Sequence, residues 1–270
     1  MTSFCSSCFK NLKVEESFNN NRILLLAQDF VISRSISFYV AYEHASSGGY
    51  PLIISNKSLT QNNVPVYVDM STNKTDYSYN TNIPSTPYSW APAVLDRIGI
   101  KYVKDANELK LLMASIHALK PHIPTLLIID NLSTYLDPDS SLGRSDTILY
   151  ERCFQTLHFV DDSVSYINSL SSHTGSSIDS PSSSPPLRLF ITDTSTNKAY
   201  LKLLSAITYR HTLHLEPNPT PQQAYTVSSP DKEYTLKRRD MTAREDSEAT
   251  VCARMTYMPN NNTLRIEMTP

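Results

Sequence analysis

Apolar positions along the chain fall into two patterns that alternate. Unbroken apolar runs stand at 22–27 (R-I-L-L-L-A), 51–55 (P-L-I-I-S) and 126–130 (L-L-I-I-D), and L-R-L-F-I-T follows at 187–192. Runs of this length read as strands buried on both faces. Between them the apolar positions take helical spacing: Ile36, Tyr39 and Val40 in a helix from about Ser35 that Gly48-Gly49 closes, and Leu109, Leu112, Met113, Ile116 and Leu119 behind an Asp105 N-cap. Leu149, Cys153, Leu157, Val160, Val164 and Ile167 give another helix over 147–170, and 198–206 a shorter one. The Leu109–Ile116 face is read as core. Parallel central strands are expected at about 23–27, 51–55, 98–103, 125–130 and 187–192, because each strand is followed by a helix and then a strand. Toward the end the helices stop: 209–215, 224–227, 251–257 and 263–268 read as strands, with a turn at 260–262. The fold class is therefore α/β, a mostly parallel sheet with helices on both faces and an antiparallel C-terminal end.

Composition divides the chain. Residues 1–21 form a polar leader expected to be disordered, and 22–270 form one domain carrying polar insertions at about 56–90 and 171–186. Within the first insertion V-P-V-Y-V at 64–68 suits only an edge strand, since Pro65 cannot donate to a central ladder. The net charge of -2 rules out a whole-protein field for nucleic acid, so such binding needs a local patch. No apolar run is long enough to span a bilayer, and no membrane association is expected. Four cysteines in 270 residues do not make a disulfide framework, which points to a reducing compartment, cytosol or nucleus. Cys5 and Cys8 form a C-x-x-C pair without two further ligands nearby, so no metal site is assigned.

The chemistry concentrates at two places. L-L-I-I-D-N-L at 126–132 has the form of the hydrophobic strand whose terminal aspartate helps hold Mg²⁺ in a P-loop ATPase, here Asp130. The matching phosphate loop belongs after the first strand, but Ala27–Ser35 reads A-Q-D-F-V-I-S-R-S. It lacks the glycines that let backbone N–H groups close around phosphate, and Asp29 would repel an anion. Arg34-Ser35 is all that resembles the basic–hydroxyl pair. Asn56-Lys57-Ser58 follows the second strand, where a water-polarising glutamate would be needed. No catalytic residue and no cofactor is expected; the alternative is a weak ATP and Mg²⁺ site through Arg34, Ser35 and Asp130.

The densest basic run, Lys237-Arg238-Arg239, reads as a loop between strands that could meet DNA phosphates, diluted by Asp231, Glu233, Asp240, Glu245 and Asp246. His211 and His214 lie three apart on a strand and so on opposite faces, which excludes a shared metal. Tyr67, Tyr77, Tyr79, Tyr88 and Trp90 offer a stacking surface for single strands, against the plainer reading of a polar insertion that docks in part.

Taken in order, I-L-L-L-A…R-S, L-D-R-I-G-I-K-Y-V-K-D-A-N-E-L-K-L-L-M-A-S-I-H-A-L, P-T-L-L-I-I-D-N-L-S-T-Y-L, L-R-L-F-I-T-D-T and the closing C-A-R-M-T-Y…T-L-R-I-E-M resemble the RecA-like recombinase paralogue of the animal Shu complex. The stretch Leu95–Leu136 carries the resemblance most strongly. It implies a RecA-like P-loop NTPase core, a nuclear role in homologous recombination and DNA repair, and work beside a SWIM-domain zinc-finger protein. Support of recombinase filament assembly on single-stranded DNA is implied as well. The missing glycines and lysine and the two polar insertions depart from the family pattern. Two alternatives stand beside this reading: a degenerate P-loop protein that only scaffolds other proteins, and a nucleotide-binding ATPase with an atypical loop.

Overall fold

The computed structural model of the chain describes residues 22–56, 67–69, 91–119, 122–136, 146–173, 186–195, 197, 200–201, 204, 211–218, 232–240, 250–258 and 263–268. Outside them lie the leader with Cys5 and Cys8, most of the two polar insertions, Tyr77, Tyr79, Tyr88 and Trp90, the strand expected at 224–227 and the turn at 260–262.

In chain order the elements are β1 (Arg22–Ala27), α1 (Phe30–Ser46), β2 (Pro51–Ser55), β3 (Tyr67–Asp69), α2 (Pro92–Leu95), β4 (Gly99–Tyr102), α3 (Ala106–Ser115) with a 3₁₀ turn at Ile116–Ala118, β5 (Leu126–Ile129), α4 (Ser133–Leu136), α5 (Asp146–His173), β6 (Arg188–Asp193), β7 (His211–Pro217), β8 (Lys232–Asp240), β9 (Thr250–Met258) and β10 (Thr263–Met268). Of the helix expected at 198–206, Tyr200, Leu201 and Leu204 are described, and all three are helical. The ten strands form one sheet in the order β3-β10-β9-β8-β7-β1-β6-β5-β2-β4.

The sheet has two halves. From β7 through β1, β6, β5 and β2 to β4 every pairing is parallel. β7, β8, β9 and β10 continue it antiparallel. From β1 through β6 and β5 to β2 the parallel half is dry on both sides. Leu24, Leu52, Ile54, Leu127, Ile129, Leu189 and Ile191 meet Leu109, Met113, Leu157 and Val164 of α3 and α5 on one face. Ile23, Leu25, Ile53, Ile128 and Phe190 meet Ile32, Ile36 and Val40 of α1 on the other. This explains why unbroken apolar runs, and not alternating ones, mark these strands.

Four expectations are corrected. The strand expected at 98–103 among the central ones is an edge: among the described residues β4 pairs with β2 alone, and all four of its residues are exposed. β8 is a nine-residue strand where a loop was expected around the basic run. α5 runs to His173, into the start of the expected second insertion. Most consequentially, α1 begins at Phe30, not near Ser35. Asp29 is the cause: its carboxylate accepts from the N–H groups of Val31 at 3.0 Å and Ile32 at 3.2 Å, an N-cap that starts the helix two residues after β1.

Candidate functional site

The carboxyl ends of β1, β5 and β2 stand where an open parallel sheet presents its ligand crevice. The connection from β1 to α1 consists of Gln28 and Asp29 alone. No turn is left to wrap phosphate. The first-turn N–H groups that would face an anion are already engaged: Val31 and Ile32 donate to the Asp29 side chain, and Ser33 to the Asp29 carbonyl at 3.0 Å. A carboxylate thus stands at the helix N-terminus, where phosphate would be drawn by the same amides and dipole.

Arg34 and Ser35 lie inside α1, not at the end of a loop. Ser35 turns its hydroxyl back on the helix and donates to the Val31 carbonyl at 2.6 Å. Arg34 passes beneath the helix to the end of β5. Its Nε donates to Asp130 Oδ2 at 2.9 Å and its terminal nitrogen to the same oxygen at 2.6 Å, with both side chains fully enclosed. Ser55, at the end of β2, donates to that oxygen at 2.9 Å and accepts from Arg34 at 3.2 Å. Thr192 reaches Asp130 Oδ1 at 3.4 Å, and the Phe30 ring lies 4.3 Å from the guanidinium carbon. The acid that would help hold a divalent cation therefore faces an internal one. The register explains why the partners meet: Ile54 pairs with Ile129, so Ser55 comes level with Asp130.

Around this core the strand ends are fastened to one another. Asn131 has φ 58, a left-handed conformation that Asn tolerates among non-glycine residues. Its amide oxygen accepts from the Thr194 N–H at 3.1 Å and the Thr194 hydroxyl at 3.0 Å, and its own N–H donates to Thr192 at 2.9 Å. Asp193 accepts from the N–H groups of Ser133 and Ser195 and from the Tyr200 hydroxyl at 2.8, 2.7 and 2.8 Å. Burial pushes the Asp193 carboxyl above the usual range, against the pull of those donors. Burial likewise raises the Tyr135 hydroxyl, which donates to the Ile54 carbonyl at 3.2 Å. Ser55, Thr192 and the capping role of Asp29 went unread in the sequence. The available signal was an Asp directly before an apolar run, the mark of an N-cap.

The other sequence candidates lie far along the sheet. Lys237 is on β8, where it pairs in register with His214 and donates to Glu216 at 2.7 Å. Arg238 pairs with Leu213, a core residue, and Arg239 with Thr212. Successive strand positions belong to opposite faces, so 237 and 239 share one face and 238 belongs to the other. Among the described residues no group of three or more His, Cys, Asp or Glu could hold a metal ion. No described helix is long and apolar enough to cross a membrane.

No family model matches the chain, and no curated protein sequence does. Among solved structures it is similar to a KaiC-like protein from the hyperthermophilic archaeon Pyrococcus horikoshii, with 11% identity, a TM-score of 0.50, and coverage of 92% of this chain and 89% of that one. At that identity the likeness shows the fold: an α/β domain of RecA-like architecture, with a mostly parallel sheet and an antiparallel C-terminal end.

Proposed function

We propose that the chain is a non-catalytic recombinase paralogue that works in homologous recombination, in the nucleus, through protein partners and not through a nucleotide cycle. The observation that carries the non-catalytic part is the Arg34–Asp130 contact at 2.6 Å, with Asp29 capping the amides of α1. A nucleotide-bound Mg²⁺ at Asp130 would have to displace a buried guanidinium, which would be left as an uncompensated charge. The recombination role rests on the sequence resemblance to the Shu-type paralogue, and the RecA-like fold agrees with it. The partners on this reading are a SWIM-domain zinc-finger protein and a recombinase filament on single-stranded DNA. Among the described residues β4 ends the sheet with Ile100 and Tyr102 exposed, which supports work through partners, because a sheet edge can accept a strand from another chain.

Two measurements test the proposal. Equilibrium binding of a fluorescent ATP analogue to the full chain with Mg²⁺ is expected to show no saturation, and ATP turnover to stay at background. Turnover that Asp130→Asn abolishes would establish the ATPase alternative instead. Affinity purification of the tagged chain is expected to recover a SWIM-domain protein or a recombinase. Recovery of neither, together with no binding to labelled single-stranded DNA, favours a scaffold outside recombination.

A further inference from the structure

We propose that the outward side of α5 is a docking face for an amphipathic helix of a partner protein, one whose apolar positions are flanked by Lys and Arg. α5 has 28 residues and so is about 42 Å long. Its inner side is spent on the core through Cys153, Leu157, Val160, Val164 and Ile167. A second apolar row runs along the outside: Ile148, Phe159, Tyr166 and Leu170, all exposed, with Tyr166 at 51%. The steps of 11, 7 and 4 residues are close to whole helical turns, which keeps the four within about 40° of arc. A surface helix of a monomer carries one apolar stripe; here two run side by side, separated by the polar positions between them. The Tyr166 ring is held from the side by His117, edge-on at 5.6 Å between centroids.

The charge beside this row selects its occupant. The exposed charged residues adjoining it on α5 are both acids, Glu151 and Asp162. Asp161 pairs with Arg22 at 2.9 Å; Arg152, four residues after Ile148 and so at the row's own angle, keeps its charge but is half-buried and turns its guanidinium to the Leu136 carbonyl at 3.3 Å. An acidic border opposes nucleic acid and anionic lipid. It also opposes a second copy of this chain, because an antiparallel pairing that sets Phe159 against Tyr166 brings the two copies of Asp162 together at the two-fold axis. An antiparallel helix with apolar residues at i, i+4, i+11 and i+22, the steps of the row read in reverse, and basic residues beside them satisfies both the apolar row and its border. The proposal does not depend on the state of the nucleotide position.

The test uses the full chain and two synthetic helical peptides that share one apolar pattern, one flanked by Lys and Arg and the other by Glu. Fluorescence anisotropy is expected to show at least tenfold tighter binding of the basic peptide, and loss of that binding in Phe159→Ser/Tyr166→Ser. Both residues are exposed, so an unchanged circular dichroism melt establishes that this variant is folded. Glu151→Lys/Asp162→Lys, which leaves the apolar row intact, is expected to reverse the preference between the peptides. Equal affinity for both peptides overturns the proposal. Binding unaffected by the serine variant overturns it too, as does concentration-dependent self-association that the serine variant removes.

Discussion

Arg34 and Asp130 form a pair with no route to water, and this decides how each responds to substitution. Removing one partner leaves the other charged and enclosed, so Arg34→Ala is expected to destabilise the protein by about 3–5 kcal/mol, read as a lowered denaturant midpoint at constant m-value. Replacing both with apolar residues, as in Arg34→Met/Asp130→Leu, is expected to cost less than either single change, because the double variant leaves no unpaired charge. Additive losses would mean that the pair is not energetically coupled. His44 supplies the pH dependence at this scale. Burial, and then the nearby Arg188, lower its pKa from 6.5 to about 4, and its Nε2 lies 2.7 Å from the Thr125 hydroxyl. The folded chain thus holds the imidazole neutral while the unfolded chain takes up a proton below pH 6.5. Stability from this group is complete above 6.5 and declines as pH falls toward 4. Asp193 and Asp161, whose carboxyls burial raises, have the opposite sign: they favour the folded state at low pH and lose that contribution as pH rises. Comparing urea midpoints at pH 7.5 and 5 in wild type and His44→Gln separates the two effects. The drop is expected to shrink in the variant, and an equal drop in both would exclude His44 as its source.

At the scale of elements, α1 turns on one cap. Asp29→Ala is expected to cost about 1 kcal/mol, and thermal unfolding would detect it. It is also expected not to create nucleotide binding, since Arg34 still occupies Asp130. The same residue shows where the sequence was and was not legible. β1, β2, β5 and β6 were readable because strands buried on both sides consist of little but Ile, Leu and Phe. α3 was readable from Asp105, which accepts from Asn107 and Glu108 at 2.9 Å. The start of α1 is not, because at the place of a phosphate loop Asp29 reads as an anion-repelling fault and not as an N-cap. β8 was misread because only one of its faces packs. Leu236 is buried while Glu233 is exposed, so its pattern is diluted by charge and resembles a loop. β4 is exposed at all four positions; its alternating Ile98, Ile100 and Tyr102 are sufficient to mark a strand and insufficient to tell a centre from an edge. The Arg34–Asp130 pair was legible only as two candidates; that they bind each other depends on a contact across 96 positions. α5 offers one more check. Burial, and then Asp193, push the Cys153 thiol up to about 12, so little reactive thiolate forms. Iodoacetamide is expected to label Cys153 only after unfolding, and rapid labelling of the native chain would show that this part of α5 opens.

Across the whole molecule, the two halves of the one sheet have different surfaces. The parallel half is enclosed and spends its polar groups on itself, whereas the antiparallel half leaves charged positions exposed. On the proposed reading direct contact with DNA would fall to that second half, and three features would make it weak. The net charge is -2, Lys237 is already paired with Glu216, and the strand register divides Lys237 and Arg239 from Arg238. A patch that reaches about two or three phosphates gives a log–log salt slope of about -2 on single strands, far shallower than a protein that grips DNA along its length. The isolated chain is therefore expected to bind labelled single-stranded DNA weakly, with a slope of that size. The ion pair allows a sharper test than removal of the whole basic run. Glu216→Gln frees Lys237 and is expected to tighten DNA binding, whereas Lys237→Ala weakens it; both side chains are partly exposed, so neither change threatens the fold. If neither substitution moves the affinity, the antiparallel face is not where DNA is met, and on the proposed reading contact with nucleic acid would pass to a partner.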